Sequence, residues 1–235
     1  MSGSFGSVER TATGTVDQNL SKIIGISTGL IAVNILLMLA LSYVQPVVAL
    51  GALLFGNILV GMAAFAISVG GGSWIASKGV ERGSLPVAGA GLTLTQAGYG
   101  LFGAFILGTA ASTALRLPAV GISVIITAAI TGVVAYVVYA TGRDFSSWQS
   151  YSFYLFIGGI ALAAVGYVVF TPLILVASLV FFAAFTVSLT YEIWAVKENR
   201  YASDLRNAIG IYVAVMGVFV NVLIWVLRIL ELFDA

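Results

Sequence analysis

Glu192 is the main ionisable side chain within the long apolar stretches of this 235-residue chain. It stands in the sequence Leu-Thr-Tyr-Glu-Ile-Trp over residues 189–194. A charged residue at the centre of a membrane helix costs about 2.5–3.5 kcal/mol on insertion scales, so such residues mark function by default. A carboxylate in that position can bind a cation weakly or titrate singly. The alternative is that Glu192 reaches the membrane surface one helical turn away, near Lys197 or Arg200.

Four amide side chains are also embedded in apolar stretches, where each of them needs a polar partner. They are Asn34, Asn57, Gln96 and Asn221. Amides in membrane helices either hydrogen-bond to neighbouring helices or line a polar path. If the four converge, they line one cavity; otherwise each joins a pair of helices.

Three other charged residues are predicted to stabilise individual helices. Arg228 and Glu231 are three residues apart, a spacing that favours an ion pair along one helix face. Asp204 follows Ser203 at the predicted start of a helix, where an Asp suits the N-cap position.

The chain contains no His and no Cys. Haem, iron–sulfur, copper and most zinc sites use those ligands, and nucleophilic Cys or His-assisted Ser chemistry also needs them. We therefore expect no enzymatic activity and no cofactor, and the sequence indicates no metal site. A net charge of +1 does not indicate a nucleic-acid partner.

Long apolar runs supply the elements that must position these side chains. The chain is 60% hydrophobic and only 8% charged, and a helix needs roughly 20 apolar residues to cross a bilayer. The runs are continuous rather than alternating, which favours helices over a barrel. Seven spans are predicted: Ile23–Tyr43, Val47–Val69, Val87–Thr109, Val120–Tyr139, Tyr151–Val169, Leu173–Val196 and Ala208–Leu230. The predicted fold is an all-α polytopic membrane bundle, a single domain over residues 21–235, preceded by a flexible polar tail over residues 1–20.

Basic residues predict the orientation of this bundle. Eight of the ten fall before the first span or in the connections 2–3, 4–5 and 6–7, and only Arg116 and Arg228 fall toward the other face. By the positive-inside rule the N-terminus is cytoplasmic and the C-terminus is outside. The 27 glycines favour close helix packing; the alternative is that they make a flexible or narrow pore lining. Gly25 and Gly29 form a GxxxG pair, for which homodimerisation is a third and weaker possibility.

Two segments carry a family resemblance. The first is Ala-Thr-Gly-Arg-Asp-Phe-Ser-Ser at residues 140–147, which leads into the fifth span. The second runs from Leu-Thr-Tyr-Glu at 189–192, through Asn-Arg-Tyr-Ala-Ser-Asp-Leu at 199–205, to Ile-Tyr-Val at 211–213. Together with the closing Leu-Arg-Ile-Leu at 227–230, they make the chain similar to the Bax inhibitor motif family over about Leu20–Leu232.

The resemblance implies seven helices with one at the centre, and a calcium or cation leak across a membrane, with the prokaryotic plasma membrane favoured. It also implies a pH switch in which two carboxylates of helices six and seven share a proton. This chain departs from that pattern, since Glu192 stands at the first position and Ala214 at the second, and Gly217 replaces a frequent Asn. A basic residue is also missing from span two. The predicted function is a leak channel without the paired switch; the alternative is a non-conducting regulator or scaffold that binds another membrane protein.

Overall fold

A computed structural model of the chain describes residues 19–234, which form helices and short connections and contain no strand. The predicted flexible tail therefore lies almost entirely outside the described residues. The helices are α1 (Leu20–Leu41), α2 (Gln45–Phe55), α3 (Ile58–Phe65), α4 (Gly72–Glu81), α5 (Leu85–Gly108), α6 (Arg116–Thr141), α7 (Trp148–Val168), α8 (Leu173–Lys197) and α9 (Asp204–Asp234). A π-helical segment, Ala66–Gly71, joins α3 to α4 into one long element.

Seven of these elements are long and apolar enough to cross a membrane, the α3–α4 element counting as one. The prediction of an all-α, multi-pass membrane protein is thereby confirmed. Contacts between helix ends show that the first, third and seventh spans (α1, α5 and α9) run in the same direction, as an alternating order of spans requires. Lys22 pairs with Asp204 where α1 and α9 begin, and Glu231 near the end of α9 accepts a hydrogen bond from Ala111 after α5.

We call the two ends of the bundle the basic face and the opposite face. The basic face contains the starts of α1, α5, α7 and α9 and the ends of α4, α6 and α8; the opposite face contains Arg116 and Arg228. This division of helix ends agrees with the charge pattern that predicted a cytoplasmic N-terminus.

The second span differs from the prediction. The run Val47–Val69 is broken at Gly56 and Asn57, and the spanning element is Ile58–Glu81, preceded by the short helix α2. The Asn57 side chain causes the break, since its Oδ1 accepts the backbone N–H groups of Leu59 and Val60 and so caps α3. Asn57 is therefore an exposed helix cap on the opposite face and does not line a cavity within a span.

Two predicted roles of charged residues are wrong. Arg228 and Glu231 do not pair among the described residues: the Arg228 guanidinium lies 5.4 Å from the Trp225 ring centroid, and Glu231 instead accepts the Ala111 N–H at 3.1 Å. Asp204 is not the N-cap of α9, because the preceding Ser203 hydroxyl accepts the Arg206 N–H. Asp204 lies in the first turn, where its carboxylate suits the helix dipole and contacts Lys22 at 3.3 Å.

Helix α9 occupies the centre of the bundle, as the resemblance implies. In its most apolar window 67% of the residues are buried, against 44% or less in the other spans. It contacts α1, α4, α5, α6 and α8. Gly217 allows one of these contacts to be close, because a Cβ at that position would overlap the ring of Phe185 on α8. Most residues of α9 therefore face the interior of the protein.

Candidate functional site

The structure places Glu192 inside the bundle, near the basic end of α8. Its side chain is only 12% exposed, and residues 189–196 of α8 are all buried. The alternative of a carboxylate in contact with Lys197 or Arg200 is not what the structure shows. Glu192 faces the first turns of α9 instead.

Arg206 is the charged partner of Glu192. One terminal guanidinium nitrogen of Arg206, Nη1, lies 3.4 Å from Glu192 Oε2, and both side chains are 12% exposed. Arg206 and Gly210 are four residues apart on α9 and so share one helix face. A Cβ on Gly210 would overlap the Glu192 carboxylate and lie 2.8 Å from Arg206 Nη1. Glycine thus provides the space that the buried ion pair fills.

A polar pocket of about 370 Å³ opens beside this pair on the basic face. We call it the basic-face pocket. It lies between α4, the start of α7, the α8–α9 connection and the start of α9. Its lining residues are Ser73, Trp74, Ser77, Lys78, Glu81, Gln149, Tyr201 and Arg206. Because Arg206 both lines the pocket and contacts Glu192, the buried carboxylate is one side chain away from the pocket.

The motif before the fifth span forms a structured turn on the same face. Asp144 Oδ1 accepts the backbone N–H of Ser146 at 2.8 Å, and Oδ2 accepts its hydroxyl at 3.1 Å. These hydrogen bonds, the backbone one first, lower the pKa of Asp144 below its ordinary value. Phe145 is buried and its ring packs edge-on against Trp148, so this segment anchors the start of α7 beside Gln149 of the pocket.

The predicted amides do not converge on one cavity. Asn34 is fully buried and donates to the Gln96 carbonyl at 3.0 Å and to the Tyr212 hydroxyl at 3.2 Å, joining α1 to α5 and α9. Gln96 is half-buried, and its side chain donates to the Leu30 carbonyl. Asn221 donates to Gly217 within its own helix. Asn34 and Gln96 therefore form one interhelical cluster, while Asn221 and Asn57 lie apart from it.

Sequence reasoning missed Arg206, although a signal for it was present. Arg206 and Gly210 are four residues apart at the start of the seventh span, and a short connection joins that span to the helix of Glu192.

The two positions that the resemblance aligns with the paired switch, Ala214 and Gly217, are buried against neighbouring helices. No group of three His, Cys, Asp or Glu side chains able to hold a metal ion occurs within residues 19–234.

Comparison with protein-family models, with curated proteins and with solved structures found no match to this chain. The class that the fold defines is a seven-span helical membrane protein with a buried Glu–Arg pair at one end of its central helix.

Proposed function

We propose that this protein is a divergent member of the Bax inhibitor motif family that lets calcium or another cation leak across the membrane. The observation that carries the proposal is the burial of Glu192 in the bundle beside the basic-face pocket. A buried carboxylate is costly in a membrane protein unless it is paired. A cation that enters the pocket would find in Glu192 a negative charge with little competing water.

The Glu192–Arg206 pair represents the closed form of this path. Arg206 neutralises the carboxylate, and a permeating cation takes its place when the guanidinium swings into the pocket. Serine, glutamine and glutamate oxygens of the lining then complete a loose coordination shell, since Ca²⁺ prefers about six to eight oxygen ligands. A site with one buried carboxylate binds weakly, as a leak requires.

Replacement of Glu192 by Gln tests the proposal in proteoliposomes loaded with a calcium indicator. We expect calcium entry to fall about tenfold, which corresponds to a loss of about 1.4 kcal/mol of attraction for the cation at the barrier. Glu198→Gln is the matched control, because Glu198 is an exposed acid on the same face, 3.9 Å from Lys197.

Equal calcium entry in wild type and Glu192→Gln would remove Glu192 from the path. Wild-type protein that conducts no cation, yet co-purifies with a stoichiometric membrane partner, would favour the alternative of a non-conducting regulator or scaffold. The buried pair between α8 and α9 would then have an architectural role.

A further inference from the structure

The basic-face pocket is rich in hydrogen-bond donors that its own residues do not use. Arg206 directs one Nη1 contact to Glu192, and Lys78 donates to Glu81 at 2.7 Å. A guanidinium and an ammonium group each carry further N–H donors and no acceptor. The side chains of Ser77 and Gln149 make no hydrogen bond to another group of the described residues. The pocket can therefore donate hydrogen bonds to a ligand whose polar atoms are mainly hydrogen-bond acceptors.

Arg206 is oriented so that its remaining donors are available. Its guanidinium stacks on the Tyr201 ring, with the Cζ atom 4.2 Å from the ring centroid. Stacking covers a face of the planar group and leaves its N–H edges free for an oxygen-rich ligand. Because Glu192 uses only part of those edges, Arg206 can contact a second anion without losing the buried pair.

Lys78 and Arg206 are each paired with a carboxylate, so the additional positive charge of the pocket comes from helix ends. Gln149 is the second residue of α7 and Arg206 the third of α9, so two helix N-termini with their partial positive charges border the pocket. Glu81 is the acidic residue of the lining, and its pair with Lys78 is about half exposed. Exposed pairs of this kind contribute little free energy, so an incoming anion displaces Glu81 from Lys78 easily.

Trp74 indicates where the ligand comes from. Trp74 lines the pocket and is 64% exposed, about two helical turns before the end of the Ile58–Glu81 span on the basic face. An exposed side chain on a spanning helix faces lipid, and Trp is enriched toward the membrane–water interfaces. We propose that the basic-face pocket binds the phosphate group of an anionic phospholipid headgroup, with Lys78 and Arg206 as its charged contacts. The same pocket borders the proposed cation path, but lipid binding is measured without any cation flux, so the two proposals fail or succeed separately.

A titration followed by native mass spectrometry tests the site. Purified protein in detergent is titrated with short-chain phosphatidylglycerol, short-chain phosphatidylcholine or inorganic phosphate. We expect one phosphatidylglycerol to bind per protein, and Lys78→Gln to raise its dissociation constant about tenfold by loss of one charge-assisted contact. Arg206→Lys, which keeps the charge but loses the planar fork, is expected to weaken binding as well.

Arg82→Gln is the matched control, because Arg82 is an exposed basic residue at the end of α4 that does not line the pocket. Its dissociation constant should stay within about twofold of wild type. Saturable binding of inorganic phosphate with the same dependence on Lys78 would support the phosphate site and assign a soluble source. Equal binding of the two lipids, or equal effects of Lys78→Gln and Arg82→Gln, would overturn the proposal.

Discussion

At the scale of single residues, the Glu192–Arg206 pair shows why a buried carboxylate must be considered together with its surroundings. Both partners are 12% exposed, and an unpaired charge in that position would be strongly destabilising. Gly210 provides the space between them, so its missing side chain is as important to the pair as the charges are.

Gly210→Ala is expected to separate the pair. The new methyl group would overlap Glu192 and crowd Arg206, and both are flexible side-chain ends that move more easily than the helices. We expect a destabilisation of about 1–3 kcal/mol, measured as a lower midpoint of thermal unfolding in detergent. If the pair closes a cation path, calcium entry into proteoliposomes rises at the same time.

Gly132→Ala is the matched control for that variant, because a Cβ on Gly132 of α6 meets nothing within 4 Å. Alanine is the better helix former by about 1 kcal/mol, so this change is expected to be neutral or stabilising. Equal unfolding midpoints for the two variants would show that Gly210 is not needed to accommodate the pair.

At the scale of elements, α4 packs against α5 through close contact of the two backbones. Gly91 on α5 faces α4, where an added Cβ would lie 2.6 Å from the Gly72 carbonyl oxygen and would overlap the backbone of Ala76. Backbone cannot move aside as a side chain can. Since α4 supplies Ser73, Ser77 and Lys78 to the basic-face pocket, this contact also positions the pocket.

Gly91→Ala is expected to lower stability by about 1–3 kcal/mol, because the two helices must separate to admit the methyl group. Gly89→Ala is the control on the same helix, two residues away, where a Cβ meets nothing within 4 Å. Thermal unfolding of the two variants in the same detergent measures the difference. A Gly91→Ala protein as stable as Gly89→Ala would contradict the close packing of α4 on α5.

At the scale of the whole molecule, the charge pattern and the contacts between helix ends define the same two faces. Lys22 with Asp204 and Lys197 with the Val138 carbonyl join helix ends on the basic face. Arg116 donates to the Ser42 carbonyl at 2.6 Å on the opposite face, where it also satisfies the C-terminal end of α1. The positive-inside rule assigns the basic face to the cytoplasm.

Labelling of single cysteines in intact cells tests this orientation. The chain has no cysteine of its own, so Thr113→Cys on the opposite face and Glu198→Cys on the basic face each introduce a single thiol at an exposed position. A membrane-impermeant maleimide is expected to label Thr113→Cys directly and Glu198→Cys only after permeabilisation. The reverse pattern would place the N-terminus outside.

The class of protein, the number of spans and their antiparallel order follow from the sequence. Whether a segment crosses the bilayer, and in which direction, depends on its own hydropathy and on the charges beside it. Each span can therefore be predicted without knowing how it packs against the others. The predicted second span differs from the observed one because the helix breaks at Asn57. That break depends on a local capping geometry, which the mean hydropathy of a segment does not reveal.

The partners of the polar side chains became known only from the folded bundle. Glu192 meets Arg206, Glu231 meets Ala111 and Asn34 meets Gln96 and Tyr212 because rotation and tilt bring particular helix faces together. The rotation and tilt of each helix depend on how all the helices pack together, and glycines allow particular pairs of helices to approach closely. A linear pattern can therefore show that a charge lies inside the membrane, whereas its partner and the pocket beside it depend on the packed bundle.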